Sequence, residues 1–109
     1  MIVSGGVNIY PIETEELMHG NRMIEDVAVF GVPDSECGER AHACVKLVYG
    51  ASETAKSILD WCDGKIAKYK LPREADVSFR ADDFPRSDAG KLRKKELKQM
   101  IVNRPKSKL

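Results

Sequence analysis

The chain has 109 residues, with 18 Lys and Arg against 17 Asp and Glu, and 42% of its residues are hydrophobic. This length and composition are typical of one globular domain with a modest core, and they exclude a largely disordered chain. The longest apolar runs are much too short to cross a bilayer, no signal peptide is expected, and three cysteines without C-x-x-C spacing exclude a disulfide framework.

The N-terminal part predicts a hairpin, a helix and a buried strand, in that order. Gly5 and Gly6 lie between β-prone residues, which predicts a turn or a close approach of the backbone to another group. Pro11 suits the first position of a helix, and Gly20-Asn21 is a suitable end. The apolar run at 27–32 is typical of a buried strand.

The remainder of the chain predicts two more strands and two more helices. Apolar residues recur at helical spacing in the first of these helices, and Thr54 suits its N-cap. In chain order, we expect a charged loop at 34–41, a strand at 43–48, a helix at 54–67, a strand at 77–79, a loop at 80–90, a basic helix at 92–102 and a polar tail at 103–109.

These elements predict an α+β fold, in which helices pack on one face of a small three-stranded sheet that is accompanied by the N-terminal β-hairpin. Residues 1–102 are predicted to form one domain, with 103–109 as its tail. Because the chain begins inside an apolar, β-prone stretch, we expect it to be a fragment of a longer protein. Free thiols favour a reducing compartment, so the predicted location is cytoplasmic.

The stretch PRSDAGKL holds the residue of greatest chemical interest. It fails the phosphate-loop pattern G-x-x-x-x-G-K-[ST], since it lacks the first glycine and the final hydroxyl residue. Gly90 nevertheless allows an unusual backbone turn, Lys91 follows it just before a helix, and Arg86 lies on the same loop. Lys91 is therefore either a mobile positive charge for a phosphate or carboxylate oxygen, or the solvated start of a basic helix. No metal site is apparent.

Five sequence blocks together resemble the C-terminal domain of the adenylate-forming enzymes, which comprise acyl-CoA synthetases, nonribosomal peptide adenylation domains and luciferases. The blocks are IVSGGVNIYPIETEE at 2–16, AVFGVPD at 28–34, GE at 38–39, YKLP at 69–72 and PRSDAGKLRKKEL at 85–97. The S-G-G-x-N-I-Y-P form favours the acyl-CoA synthetase branch. Two departures are Cys37, where the family often has tryptophan, and Thr14, where an aliphatic residue is usual.

The resemblance implies a mechanism with two half-reactions. Lys91 would enter the active site of an N-terminal adenylation domain and contact the substrate carboxylate and the α-phosphate region of ATP. The small domain would then rotate, and its glycine loop would replace Lys91 beside the pantetheine arm of CoA. The expected catalytic residue is Lys91, and the expected cofactor-binding residues are Gly5, Gly6, Val7, Gly90 and Arg86.

By the same resemblance, the full-length enzyme would use ATP, Mg²⁺ and CoA to activate a carboxylic acid, with a fatty acid as the expected substrate. A lysine acetyltransferase would be a further partner, because the family is regulated by acetylation at the position of Lys91. The isolated chain is expected to bind no cofactor and to be inactive, and neither nucleic acid nor a membrane is an expected partner.

Charge distribution leaves one alternative from another class. Residues 91–109 hold eight Lys or Arg and one acid, a net charge of +7, whereas residues 1–90 carry −6. A stand-alone anion- or nucleic-acid-binding module that uses the basic C-terminal helix would show this asymmetry. A free-standing lid that pairs with a separate N-terminal protein is a third interpretation.

Overall fold

The computed structural model describes residues 1–102, so the predicted polar tail at 103–109 lies outside the described residues. The strands are β1 (Ile2–Ser4), β2 (Val7–Ile9), β3 (Ile24–Asp34), β4 (Gly38–Leu47) and β5 (Val77–Phe79). The α-helices are α1 (Pro11–His19), α2 (Ala55–Cys62) and α3 (Lys94–Val102), and short 3-10 helices occupy Lys68–Lys70 and Glu74–Asp76. The α+β class is confirmed.

The strands form one sheet, with the order β2-β1-β4-β3 and with β5 paired to β4. β3 and β4 pair antiparallel along most of their length, β5 runs parallel to β4, and Ser4 of the N-terminal hairpin pairs with Gly38. The three predicted strands and the hairpin are all present, and the structure joins them into a single sheet.

Helices cover both faces of this sheet, which corrects the expectation of a single covered face. Side chains alternate along β3 between two buried clusters, one against α1 and α2 and the other against α3. The first cluster includes Val27, Val29, Met18 and Ile58, and the second includes Ala28, Phe30, Phe84 and Leu97. The run at 27–32 is apolar at every position because both of its faces are buried.

Two predicted elements are much shorter than expected, a loop and a helix. The predicted charged loop at 34–41 is only a three-residue turn at 35–37, because β3 continues through Pro33 and β4 begins at Gly38. β3 lies at the edge of the sheet, where a residue without an N–H group is tolerated. The helix predicted at 54–67 ends at Cys62, where Gly64 in a left-handed conformation closes the following turn.

Thr14 fits the core although its position was expected to weaken the apolar face of α1. Its side chain is fully buried, and its hydroxyl group donates a hydrogen bond to the carbonyl oxygen of Lys70 at 3.1 Å. A buried hydroxyl is tolerated when it has a partner. Thr14 therefore ties α1 to the YKLP segment.

No helix within residues 1–102 has both the length and the apolar character needed to span a membrane.

Candidate functional site

Residues 86–92 form a small closed loop, which we call the lysine loop. Arg86 and Leu92 make an isolated antiparallel bridge at its base. Inside it, the N–H of Ser87 donates to the Lys91 carbonyl oxygen at 2.8 Å, and the N–H of Gly90 donates to the Ser87 carbonyl oxygen at 2.8 Å. The Ser87 hydroxyl also accepts the Lys91 N–H at 3.2 Å. These bonds give the segment a defined shape before α3 begins.

Gly90 and Lys91 lie at the exposed end of this loop. Gly90 has a φ of 82°, in the left-handed region that other residues resist. Lys91 is exposed, and its ammonium group makes no hydrogen bond or ion pair with any residue in the described range 1–102. α3 begins at Lys94 instead of the predicted 92, so Lys91 belongs to the loop and precedes the helix. Its charge is available to an external anion.

Arg86 is occupied within the fold. One arm of its guanidinium group donates to the Gly90 carbonyl oxygen at 3.1 Å, and the other forms an ion pair with Asp26 near the start of β3. Arg86 therefore links the sheet to the residue that precedes Lys91. In this arrangement it supports the lysine loop and is not a free cation.

The segment before the lysine loop is held by a second ion-pair group. Lys46 of β4 contacts Asp83 at 2.8 Å and also pairs with Glu25 of β3. The hydrogen bonds to these two carboxylates raise the pKa of Lys46, and Lys46 in turn lowers the pKa of Asp83. Phe84, next in the chain, is buried against the sheet. The segment that leads into the lysine loop is therefore held in place by ion pairs and by a buried side chain.

The predicted glycine turn is the tip of the β1–β2 hairpin. Gly5 and Gly6 have φ values of 56° and 82°, and positive φ at both central residues is the signature of the type I′ turn that suits two-residue hairpins. Val7 follows them as an exposed residue of β2. All three predicted residues therefore lie together at one exposed tip.

Asp34 supports the glycine turn from the end of β3. Its carboxylate accepts N–H groups of Glu36 and Cys37 at 2.8 and 3.0 Å, and the Cys37 carbonyl oxygen accepts the N–H of Gly5 at 2.9 Å. Those two backbone bonds, followed by the neighbouring Arg73, hold the pKa of Asp34 below its ordinary value. Cys37 therefore supports the glycine turn through its backbone carbonyl oxygen.

A cleft of about 330 Å³ opens beside the glycine turn. It is lined by Ser4, Cys37, Arg40, Tyr69 and Arg73, among others. Its two arginines face the buried Asp76 and also Asp34, with an Arg40 Nε to Asp76 Oδ1 distance of 2.8 Å. The charged groups of the cleft are therefore already paired with one another, and the cleft is open to solvent.

The lysine loop and the glycine turn lie at opposite ends of the β3–β4 pair. Arg86 is anchored at Asp26, near the start of β3, whereas the glycine turn is supported by Asp34, the last residue of that strand. These anchors are eight positions apart along an extended strand, which corresponds to about 26 Å. The five predicted cofactor-binding residues thus form two groups, and only Gly90 and Arg86 lie beside Lys91.

Residues 13–91 match the family model described as "AMP-binding enzyme C-terminal domain". The chain belongs to this family. The medium-chain acyl-CoA ligase ACSF2 of Bos taurus, a mitochondrial protein, is 38% identical to it over 93% of the chain and 16% of the relative. Indoleacetate–CoA ligase of Aromatoleum aromaticum is 41% identical over 95% of the chain and 20% of the relative.

The fold of this AMP-binding C-terminal domain agrees with that of solved relatives. Apo MatB from Rhodopseudomonas palustris superposes with a TM-score of 0.84 at 35% identity, over 93% of this chain and 20% of MatB. The chain therefore spans about a fifth of the length of the relatives it matches. The matched family range ends at Lys91 and begins after the glycine turn.

The alternative of a nucleic-acid-binding module gains no support from this family membership. Two of the basic residues that suggested it are paired inside the domain. Arg93, which precedes α3, lies 3.0 Å from Glu96 in the first turn of that helix, and Lys94 lies 2.8 Å from Glu15 of α1.

Sequence reasoning missed the acidic residues that hold the two loops. Asp26 precedes an apolar run and Asp34 ends it, so both first suggest ordinary strand ends. One signal was available: Glu25 and Asp26 adjoin the apolar run of a buried strand, and charged residues in such a position need partners. Their partners lie 21 and 60 residues away, and local sequence pattern could not identify them.

Proposed function

We propose that this chain is the mobile C-terminal domain of an ATP-dependent acyl-CoA ligase, with Lys91 serving acyl-adenylate formation and the glycine turn serving thioester formation after the domain rotates. The observation that carries the proposal is the exposed ammonium group of Lys91, unpaired within residues 1–102, at the end of a braced loop. Membership of the AMP-binding C-terminal domain family and the similarity to acyl-CoA ligases support it.

In the first half-reaction, a carboxylate oxygen attacks the α-phosphorus of ATP and pyrophosphate leaves. Two anions must approach each other, and negative charge grows around the α-phosphate as the bond forms. An ammonium group placed between them offsets their repulsion and stabilises that charge. Lys91 has the charge, the exposure and the reach for this task.

In the second half-reaction, the CoA thiolate attacks the acyl carbonyl carbon and AMP leaves. A glycine turn suits this step, because Gly5 and Gly6 carry no side chains and let the pantetheine arm pass close to the backbone. The separation of about 26 Å along the strand pair supports a rotation of the whole domain, since one active site cannot contact both loops at once.

The substrates of the proposed enzyme are ATP, CoA and a carboxylic acid, with a fatty acid favoured by the medium-chain acyl-CoA ligase among the relatives. Mg²⁺ would accompany the phosphates of ATP. Within residues 1–102, no group of three His, Cys, Asp or Glu side chains could hold a metal ion. The proposal therefore assigns no magnesium ligand to these residues and places the ion with an N-terminal adenylation domain.

Two further features belong to the proposal. Acetylation of Lys91 by a lysine acetyltransferase would remove the charge used in the first half-reaction and so switch adenylation off. The three cysteines are free thiols, which supports a reducing compartment such as the cytoplasm.

The test uses the longer enzyme that contains this domain, with Lys91→Ala and, as a control for charge, Lys95→Ala on the exposed first turn of α3. Adenylation is followed by ATP–pyrophosphate exchange, and thioester formation is followed from supplied acyl-adenylate. We expect Lys91→Ala to lower adenylation by about a hundredfold or more and to change thioester formation little.

Lys95→Ala should leave both rates near those of the unmodified enzyme. Equal retention of both half-reactions in Lys91→Ala would refute the proposed role. Equal losses from Lys91→Ala and Lys95→Ala would assign the effect to the general charge of the helix.

A further inference from the structure

The strongest unexplained feature beside the lysine loop is the carboxylate of Asp26. Its side chain is only 18% exposed and comes from the sheet, 60 residues before the loop it serves. One oxygen accepts the N–H of Val27 at 2.9 Å, which fixes the carboxylate against its own strand. The other oxygen faces Arg86.

We propose that Asp26 is a positioning residue for Lys91, acting through Arg86 and the Gly90 carbonyl oxygen. This inference rests on the proposed role of Lys91 in adenylation. The guanidinium group is planar and presents two arms in a fixed fork, so Asp26 on one arm sets where the other arm holds Gly90. Lys91 is the next residue along the chain, and its backbone carbonyl closes the loop onto Ser87.

The same geometry gives Arg86 a task within the domain, in addition to its expected role in cofactor binding. Both of its engaged arms point to groups of this domain, the Asp26 carboxylate and the Gly90 carbonyl. Without the carboxylate, the guanidinium would lose the partner that fixes its orientation. The loop would then sample positions in which Lys91 misses the reacting atoms, and a misplacement of about 1 Å can cost about a hundredfold in rate.

Glu25, the preceding residue on β3, provides a matched control. It carries the same charge on the same strand but pairs with Lys46, and its loss leaves the Lys46–Asp83 ion pair that holds the segment before the lysine loop. The test variant is Asp26→Asn, which has the same shape and can still accept the Val27 N–H. The control is Glu25→Gln, and Asp26→Glu restores the charge on a longer side chain.

The first measurement is hydrogen exchange of the Ser87 and Gly90 amides in the 109-residue chain. We expect Asp26→Asn to speed exchange at both amides by about three- to tenfold, Asp26→Glu to recover most of the protection, and Glu25→Gln to change nothing at these sites. Circular dichroism confirms that each variant is folded. Arg86→Lys cannot bridge both partners, so it should independently lower the protection of the same two amides.

The second measurement repeats the two half-reactions in the longer enzyme. Asp26→Asn should lower kcat for adenylation by about ten- to a hundredfold, with little change in KM for ATP or in thioester formation. Unchanged exchange in Asp26→Asn, or equal effects of Asp26→Asn and Glu25→Gln, would overturn the inference. Loss of adenylation in Lys91→Ala without loss in Asp26→Asn would also overturn it while the proposed function stands.

A different pair of results would separate the two proposals in the other direction: faster amide exchange in Asp26→Asn together with full adenylation by Lys91→Ala. The bracing of the loop by Asp26 would then be supported, and the role of Lys91 in adenylation would be refuted.

Discussion

Replacing Gly90 with alanine tests whether the shape of the lysine loop matters for adenylation. The backbone at Gly90 has a φ of 82°, and a Cβ atom added there would meet nothing within 4 Å. The substitution therefore adds no steric clash with neighbours and acts only through the backbone. Holding an L-residue in this left-handed conformation costs about 1–2 kcal/mol.

That cost predicts two measurable effects. The free energy of unfolding should fall by about 1–2 kcal/mol, which lowers Tm by roughly 4–8 °C for each kcal/mol in a domain of this size. If the strain is relieved by opening of the loop, the competent fraction falls by roughly five- to thirtyfold, since 1.4 kcal/mol is a factor of ten. ATP–pyrophosphate exchange in the longer enzyme should decrease accordingly, and thioester formation should not.

Gly50 provides the matched control for strain. It follows β4, has a φ of 81°, and a Cβ atom there would also meet nothing within 4 Å. Gly50→Ala should lose as much stability as Gly90→Ala in thermal and chemical unfolding but keep adenylation. A Gly90→Ala chain as stable as the unmodified chain, or an equal fractional loss of adenylation in both variants, would refute a role for backbone strain at Gly90.

Three further predictions concern the domain as a whole. Leu97→Ala should lower the free energy of unfolding by about 2–5 kcal/mol in urea titrations, because this fully buried residue fills the cluster between α3 and the sheet. The lowered pKa of Asp34 adds stability that is complete above the ordinary pKa of about 3.9 and is lost as pH falls through the lower folded value. Asp34→Asn should therefore flatten the pH dependence of the free energy of unfolding below about pH 4. The 109-residue chain alone should show no ATP–pyrophosphate exchange above background, and measurable exchange would contradict the need for a second domain.

Local chemistry made some features of the fold predictable from sequence. Thr54 was predicted as the N-cap of α2, and its hydroxyl accepts the N–H of Ser57 at 3.0 Å while the Ser57 hydroxyl accepts the N–H of Thr54. The hairpin turn at Gly5-Gly6 was predicted for an equally local reason, since positive φ favours glycine. These features depend on neighbours only a few residues apart.

Features that depend on distant partners were not predictable in this way. The apolar run of β3 indicated burial but did not indicate that α3 covers its second face. One local feature was also missed: Ile66 continues the helical spacing beyond the end of α2, but the turn at Gly64 overrides that spacing. Asp26 and Arg86 are separated by 60 residues, so their pairing needed the folded chain.

The position of both loops on one strand pair determines how mutations should divide between the half-reactions. β3 carries an anchor for each loop and is buried on both faces. The proposed rotation would therefore change which loop is presented without changing the packing inside the domain. The energy difference between the two proposed orientations would then lie in contacts outside the domain. Leu97→Ala should therefore lower both half-reactions in parallel, by lowering the folded fraction, whereas Gly90→Ala and Asp26→Asn should lower adenylation alone. Unequal losses of the two half-reactions in Leu97→Ala would mean that the domain deforms internally when it changes orientation. Equal losses of both half-reactions in Gly90→Ala and Asp26→Asn would mean the same.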